Sequence, residues 1–159
     1  DLRELVRDHP CAVLTPHAGE FERLYAATLG RELDLSEGLG ARLRELSDAL
    51  DCFILHKGRI TTVTAPGQTI YGMNAGHSYA ATAGSGDVLS GILGATLAQV
   101  DAAEADAEAI IMEILHAGAI HQHAAAIAAH TPDGFGPCSA SQIAAAVPQA
   151  IARLLVMQR

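Results

Sequence analysis

The chain has 159 residues, half of them apolar, but only 4% are aromatic and Trp is absent. This length allows one domain with a sizeable core and is too short for two ordinary domains. The formal net charge of −8, with 10 scattered Lys and Arg residues, excludes a generic nucleic-acid surface, because such surfaces depend on clustered positive charge.

The cysteines and the apolar stretches bear on the cellular setting. Cys11, Cys52 and Cys138 lie far apart and form no Cys-x-x-Cys pair, so neither a disulfide framework nor a zinc cluster is predicted. The charged first ten residues lack the apolar core of a signal peptide, and polar residues interrupt the longest apolar stretch. We therefore expect a reduced, cytoplasmic setting, with neither a membrane nor a nucleic acid as partner.

The first half of the chain alternates predicted strands and helices. Cys11 to Thr15 is an apolar run that predicts a buried strand, and Gly19 to Leu29 has apolar residues at helical spacing. Ser36 to Leu50 repeats leucines at helical spacing, with Ser36 as the predicted N-cap. Cys52 to His56 predicts a second buried strand.

The second half begins with a predicted hairpin and continues with three predicted helices. Ile60 to Ala65 and Thr69 to Met73 are β-branched runs separated by a Pro-Gly-Gln turn. The helices are predicted over Asp87 to Val100, about Ala105 to Ala129, and from an N-cap at Ser139 or Ser141 to about Met157. A loop rich in Pro and Gly is predicted over Thr131 to Pro137.

This order of elements predicts an α/β fold in which helices cover the strands of a sheet. Besides the hairpin, only two strongly buried strands are visible, whereas a doubly wound sheet usually has about five or six. The sheet is therefore predicted to be incomplete, as though the chain were the C-terminal half of a larger domain.

The segment from Thr82 to Gly91 holds the most informative pattern, a Gly-Ser-Gly turn that delivers Asp87 to the first turn of an apolar helix. Glycines let the backbone approach a phosphate closely, and the N–H groups and dipole of a helix start favour negative charge. A carboxylate there can accept a proton from a hydroxyl beside the bound phosphate. The alternative is a capped helix preceded by a flexible turn.

Three further groups of candidate residues adjoin predicted strands. His17 and Glu20 follow the first strand, at the edge where ligands bind in open α/β sheets, although Glu20 also suits an ordinary helix start. Lys57 to Thr61 follows the second strand and offers groups for phosphate or ribose, although Lys-Gly turns are common. Asn74 to His77 is predicted to line the same cleft. We expect the groups at positions 17, 57 and 87 to gather along one rim of the sheet.

Three segments share the order and spacing of a known family: LTPHAGEF (14–21), KGRIT (57–61) and NAGHSYAATAGSGDVLSGILGA (74–95), and a fourth, SASQIAAAVPQAI (139–151), is similar to its closing helix. They resemble the ADP- or ATP-dependent NAD(P)H-hydrate dehydratases, ribokinase-like enzymes that repair hydrated nicotinamide cofactors. The Pro-His-x-Gly-Glu element separates this family from sugar kinases, which tend to have Asn where His17 stands. The resemblance implies a three-layer αβα sandwich, of which residues 1–159 are the C-terminal portion, lacking about a hundred N-terminal residues and their strands.

The resemblance also implies a reaction and roles for residues. A lyase of this family uses ADP or ATP and Mg²⁺ to phosphorylate the hydroxyl of hydrated NADH or NADPH (the 6S form), and phosphate then leaves. Asp87 is implied as the catalytic base, His17 and Asp87 as contacts of the hydrated cofactor, and Glu20 as an indirect magnesium residue. The implied nucleotide-binding residues are Lys57, Gly58, Arg59, Ile60, Thr61, Gly84, Ser85 and Gly86. The chain departs from the family at Ala75 to Ser78, where Thr-Gly-Asn-Pro is usual.

Histidines recur along the long predicted helix. His116, His123 and His130 are seven residues apart, with His121 nearby. A seven-residue step is about 10.5 Å along a helix axis, too far for one metal ion, so solvent-facing or capping roles are predicted. The Ala-rich run at 124–129 predicts a close-packing face, with the seam of a homo-oligomer as its other reading.

Two other functions remain open at this level. One is a ribokinase-like kinase of a small alcohol or vitamin precursor, which would share the Gly-Ser-Gly-Asp turn and release a stable phosphorylated product. The other is a non-catalytic nucleotide-binding module or an inactive fragment.

Overall fold

The computed structural model describes residues 2–7, 9, 11–74, 81–101 and 104–157. Their elements, in chain order, are α1 (Leu2–Arg7), β1 (Val13–Leu14), α2 (Ala18–Leu29), α3 (Leu39–Leu50), β2 (Phe53–His56), β3 (Ile60–Thr64), β4 (Tyr71–Asn74), α4 (Ser85–Leu97), α5 (Ala107–Ala129), β5 (His130–Thr131), β6 (Gly134–Phe135) and α6 (Ala140–Met157). Within these ranges no helix combines the length and the apolar composition that crossing a bilayer requires.

The chain divides into two compact units. Unit 1 contains the described residues of Asp1–Asn74 and Val100–Met112, and unit 2 contains those of Ala75–Gln99 and Glu113–Arg159. Helix α5 therefore begins in unit 1 and continues in unit 2.

Unit 1 holds a four-stranded sheet in the order β1-β2-β3-β4. β1 pairs with β2 in parallel, and β2, β3 and β4 follow one another as antiparallel neighbours. All four residues of β2 are buried, as its uninterrupted apolar run predicts. The predicted hairpin is confirmed, with Ile60 opposite Asn74 and Val63 opposite Tyr71. The strands and helices together confirm the α/β class.

The core of unit 1 is built from large side chains. α3 packs against both α2 and β2. The contributing side chains, each at most 1% exposed, include Phe21, Tyr25, Leu43, Leu46 and Ile54. Those of α2 and α3 stand three or four positions apart, which places them on one face of each helix.

The start of α3 differs from the prediction. The helix begins at Leu39, directly after Gly38 at a φ of 85°. The N–H and Oγ of Ser36 both donate to the carboxylate of Asp34, at 2.9 and 2.8 Å. The prediction of Ser36 as N-cap is wrong, because a nearby carboxylate engages the serine and Gly38 permits a positive φ just before the helix.

Unit 2 has a core of small side chains contributed by α5, α6 and Cys138, two residues before α6. Its buried members are Ala124, Ala125, Ala129, Cys138, Ile143, Ala146 and Ala150, with Val88 of α4 packed against them. The close-packing face predicted for the Ala-rich run at 124–129 is thus confirmed.

The last helix starts as predicted from one of two serines. The backbone N–H of Ser139 donates to Oε1 of Gln142 at 2.8 Å, and the N–H of Gln142 donates to Oγ of Ser139 at 3.3 Å. This reciprocal pair is a capping box, which confirms Ser139 as the N-cap. Pro148 lies inside α6.

The other differences between the predicted and the observed elements concern short strands and helix ends. The predicted loop over Thr131 to Pro137 contains β6, which pairs with β5 through His130 opposite Phe135. Gly134, at a φ of 134°, permits this tight reversal. The sequence also did not predict α1, and it placed the start of α4 two residues late, at Asp87 instead of Ser85.

Candidate active site

The carboxyl ends of β1 and β2 lie side by side in unit 1. The N–H of Lys57 donates to the carbonyl of Pro16 at 2.8 Å, and His17 and Lys57 form a parallel bridge just beyond the two strands. Parallel strands end at the same edge of a sheet, so both segments leave it there together. The structure therefore brings His17 and Lys57 together, as the sequence predicts.

His17 is the N-cap of α2 and exchanges hydrogen bonds with Glu20. The N–H of His17 donates to Oε2 of Glu20 at 2.8 Å, and the N–H of Glu20 donates to Nδ1 of His17 at 3.2 Å. Nε2 of His17 lies 3.4 Å from Oε1 of Glu20. The alternative reading of this segment as a capped helix start is therefore correct for the local geometry, and His17 remains exposed.

Glu20 carries a stabilised negative charge. The backbone hydrogen bond from His17 holds the pKa of Glu20 below its ordinary value, together with the charges of Lys57 and His17 and against a smaller effect of desolvation. Nζ of Lys57 lies 3.6 Å from Oε2 of Glu20. One carboxylate oxygen thus already faces both a backbone donor and an ammonium group.

The segment after Lys57 presents a mixed surface. Gly58, Arg59 and Ile60 are exposed, whereas Thr61 is only 9% exposed and stands opposite Met73 in the hairpin. Their predicted role in nucleotide binding stays a prediction.

His56 is a buried residue that the sequence did not single out. Its ring is 6% exposed and meets the ring of Phe21 edge to face, with centroids 5.5 Å apart. Its Nδ1 has no hydrogen-bond partner. Burial lowers the pKa of His56, and the charge of His17 lowers it further. The only sequence signal was its place at the end of an apolar run.

The glycine turn in unit 2 opens α4 as predicted. Gly84 has a φ of 83°, the left-handed region that favours glycine, and no side chain caps the helix. The N–H groups of Asp87 and Val88 both donate to the carbonyl of Gly84, at 3.1 and 3.2 Å. A Cβ atom built on Gly84 would lie 3.1 Å from the Cβ of Ala140 at the start of α6. Asp87 is exposed in the first turn of α4.

Ser85 is the one residue of this Gly-Ser-Gly turn that has a side chain, and it is only 6% exposed. Its N–H donates to the carbonyl of Thr82 at 3.1 Å. Nε2 of His121 lies 3.0 Å from its Oγ and 3.0 Å from its carbonyl oxygen. Both polar ends of Ser85 are therefore engaged within the protein, and its predicted role in nucleotide binding stays a prediction.

The remaining histidines of α5 and β5 lie largely where the sequence predicts. His116 and His130 are exposed, and His123 is half-buried. Nδ1 of His116 pairs with Glu113 at 3.5 Å, and the ring of His130 meets that of Phe135. His121 departs from the expectation because it is largely buried and bound to Ser85.

Carboxylates are sparse in the candidate site. No cluster of three or more His, Cys, Asp or Glu side chains suited to a metal ion occurs in the described part of the chain. Mg²⁺ is usually held by one or two carboxylates and otherwise by water and phosphate oxygens. The indirect magnesium role predicted for Glu20 stays a prediction.

The structure thus forms two local groups of predicted residues. His17, Glu20 and Lys57 are together in unit 1, and Gly84 to Asp87 form the turn in unit 2. The expected meeting of Asp87 with His17 and Lys57 stays a prediction. Asn74 ends β4, and the other predicted cleft residues, Ala75, Gly76 and His77, lie outside the described residues, as does Ser78.

Comparison with known sequences assigns the chain to a family. Residues 3–145 match the family model for NAD(P)H-hydrate dehydratase. The bifunctional NAD(P)H-hydrate repair enzyme Nnr of Corynebacterium glutamicum is 40% identical over 171 residues, which cover 97% of this chain and 29% of that protein. The ADP-dependent (S)-NAD(P)H-hydrate dehydratase of Neisseria meningitidis is 36% identical over 99 residues, covering 62% of this chain and 32% of that protein.

Solved structures share the fold. The ADP/ATP-dependent NAD(P)H-hydrate dehydratase of Bacillus subtilis, co-crystallized with ATP/Mg²⁺, superposes with a TM-score of 0.65 at 22% identity, over 90% of this chain and 48% of that chain. A ribokinase-like superfamily protein of Enterococcus faecalis gives a TM-score of 0.62 at 22% identity, over 89% and 44%. These similarities confirm the predicted ribokinase-like α/β fold. The chain spans about half of these structures and less than a third of the two curated relatives. By its match to the family model and to these relatives, the chain belongs to the NAD(P)H-hydrate dehydratase family.

Proposed function

We propose that the protein containing this chain converts hydrated NADH and NADPH, in the 6S form, back to NADH and NADPH at the expense of ADP or ATP. Residues 1–159 would supply the C-terminal portion of its ribokinase-like domain. The observation that carries the proposal is the position of Asp87, exposed in the first turn of α4 directly after the uncapped, left-handed Gly84.

The reaction has two steps. The ring hydroxyl of the hydrate attacks the terminal phosphoryl group of the nucleotide, and Asp87 takes the hydroxyl proton as the bond to the leaving nucleotide breaks. The phosphorylated carbon then loses inorganic phosphate while the neighbouring carbon loses a proton, which restores the ring double bond. Phosphorylation helps because hydroxide is a poor leaving group and phosphate is a good one. These two steps together would make the protein a lyase that repairs the hydrated cofactor.

The chain's own groups would mainly position the reactants. The helix start at Gly84 to Gly86 would face the transferred phosphate, where helix N–H groups and the helix dipole stabilise negative charge. Lys57 to Thr61 would hold the nucleotide, and His17 would contact the hydrated ring. A magnesium ion bound with the nucleotide would neutralise phosphate charge, with Glu20 near its water shell. The proposal requires His17, Lys57 and Asp87 to contact the same pair of reactants.

The assembly and the cellular setting are also part of the proposal. We infer a homo-oligomer and a cytoplasmic location; the Ala-rich run at 124–129 is not the seam, because Ala124, Ala125 and Ala129 are buried in the core of unit 2. Analytical ultracentrifugation of the purified protein tests the first, and fractionation of the source cells tests the second.

Turnover of hydrated NADPH with ADP or ATP tests the catalytic role. We expect Asp87→Asn, made in the natural protein that contains this chain, to retain less than about a tenth of the activity, because general bases typically contribute a hundredfold or more. Asp133→Asn is a matched control, since Asp133 is an exposed acidic residue of the hairpin in the same unit. The rate of NADPH appearance is the measurement.

Each other outcome points to a different function. Asp87→Asn activity above about a tenth of the wild-type value would remove Asp87 from the base role. A stable phosphorylated product from a small alcohol would identify a kinase instead. Nucleotide binding in a calorimetric titration, without turnover of either substrate, would identify a binding module.

A further inference from the structure

His121 lies behind the glycine turn and contacts its first helical residue. Nε2 of His121 is 3.0 Å from the carbonyl oxygen of Ser85 and 3.0 Å from its Oγ. Both residues belong to unit 2, and 36 positions separate them in the sequence. One imidazole nitrogen thus reaches both polar ends of Ser85.

The carbonyl contact determines where the imidazole proton lies. A carbonyl oxygen only accepts hydrogen bonds, so Nε2 must carry the proton. Burial lowers the pKa of His121, against the opposing effect of its hydrogen bond with the Ser85 backbone. At neutral pH the ring is therefore uncharged, with its proton on Nε2 and shared between the two oxygens of Ser85.

The turn needs such an anchor. Gly84 and Gly86 flank Ser85, and glycine loses more conformational freedom on folding than any other residue. Among the residues that the structure describes, no side chain caps this end of α4. A group that holds Ser85 therefore also limits the movement of the adjoining helix turn, which carries Asp87. Small errors in the placement of a catalytic group cost large factors in rate.

We propose that His121 is a positioning residue that clamps Ser85 and thereby orients Asp87 at the start of α4. This inference rests on the proposed function, in which Asp87 is the base. His121 does not contact the substrate in this scheme. It would affect the position of Asp87 through its contacts with Ser85.

The clamp itself is testable without turnover. In the natural protein, ¹⁵N NMR of the imidazole at neutral pH should show the His121 proton on Nε2. Amide exchange at Asp87 and Val88, whose N–H groups bond to Gly84, should accelerate about tenfold in His121→Leu. His121→Gln keeps an N–H donor and should stay within about threefold of the wild type. His116→Leu, an exposed change on the same helix, should leave exchange unaltered.

Turnover then tests the link to catalysis. We expect kcat of His121→Leu to fall about tenfold with little change in KM for the nucleotide, and His121→Gln to recover most of it. Ser85→Ala removes one of the two contacts, so in that background the further loss from His121→Leu should be smaller than in the wild type.

The outcomes separate the two proposals. A proton on Nδ1, or equal exchange in wild type and in His121→Leu, overturns the clamp. If His121→Leu does not fold, the position of the His121 proton in the wild type still tests the clamp, because a proton on Nδ1 cannot be donated to the carbonyl of Ser85. An accelerated exchange in a protein that never dehydrates hydrated NADPH supports the clamp and refutes the proposed function. A normal kcat in His121→Leu despite faster exchange overturns its role in orienting Asp87.

Discussion

The candidate functional groups of the two units differ in how many contacts they make within the protein. In unit 1, His17, Glu20 and Lys57 are occupied with one another through a capping box and an ion pair. In unit 2, Asp87 is exposed on a helix start that has no side-chain cap. A ligand in unit 1 must therefore compete with existing contacts, whereas a ligand at the turn of unit 2 would meet the exposed Asp87 beside the positive end of the helix dipole.

The cores of the two units also differ, in the size of their buried side chains. Unit 1 buries aromatic and branched aliphatic side chains, whereas alanines make up most of the buried cluster of unit 2. A core of large side chains is sensitive to truncation, and a core of alanines is sensitive to enlargement. The first of three predictions tests this contrast directly. The three run from the largest expected effect on stability to the smallest.

Truncating a buried side chain of unit 1 and enlarging one of unit 2 should show the difference between the two cores. Phe21→Ala in unit 1 removes a ring that is 1% exposed and should lower the free energy of unfolding by about 3–5 kcal/mol. Ala124→Leu in unit 2 adds bulk at a residue that is 0% exposed and should cost about 1–3 kcal/mol. Urea unfolding gives both values. A cost below about 1 kcal/mol for Phe21→Ala would contradict the packing of α2.

Two glycines of α4 should respond with opposite signs. Gly84→Ala places a side chain at a φ of 83° and 3.1 Å from Ala140, which should destabilise the protein by about 1–3 kcal/mol. Gly91 has open space around it inside the same helix, so Gly91→Ala should stabilise by about 0.5–1 kcal/mol. Thermal melting of the two variants is the measurement. A shift of the same sign in both would show that the turn is not left-handed at Gly84.

His56 of unit 1 is buried and His121 of unit 2 is partly buried, which should make stability depend on pH. Burial lowers the pKa of both His56 and His121 in the folded state. The unfolded chain, with a histidine pKa of about 6.5, takes up these protons first. Stability present above about pH 6.5 is therefore lost as the pH falls through that value toward the folded pKa, by at most about 1.4 kcal/mol per pH unit and group.

Urea unfolding between about pH 7.5 and 5 measures this loss, above the range in which carboxylates titrate. His56→Leu and His121→Leu should each flatten the profile, because each removes one of the two groups. A profile that is flat in the wild type would show that neither ring is buried in solution.

The sequence predicts best the features that depend on local pattern. The apolar run of β2, the leucine spacing of α3 and the glycine turn before α4 each predicted the right element, although α3 begins at Leu39 and α4 at Ser85. The predicted N-cap role of Ser36 was wrong because the carboxylate of Asp34, two residues away, accepts a hydrogen bond from its hydroxyl. The hairpin of β5 and β6 was missed because strands of two residues carry too little pattern to be recognised.

The histidines show why part of the candidate site could not be predicted. His56 and His121 are ordinary in local sequence, and their properties come from what surrounds them in space. The partner of His121 is 36 residues away, and the environment of His56 includes a ring from α2. Helical spacing correctly placed His116 at the surface, yet that spacing carries no information about a serine on another helix.

The hydrogen bond from Lys57 to Pro16 limits how this protein can change its length over evolution. It continues the register of β1 and β2 to a bridge three residues beyond Leu14 and Ile54, so the backbone at His17 and at Lys57 is separated by about the distance between neighbouring strands, 4.8 Å. An insertion or deletion of one residue in either junction would shift one segment against the other and turn its side chain to the opposite face. Homologous proteins that keep both side chains at this edge of the sheet should therefore conserve the number of residues in the two junctions, even where the intervening loops vary in length.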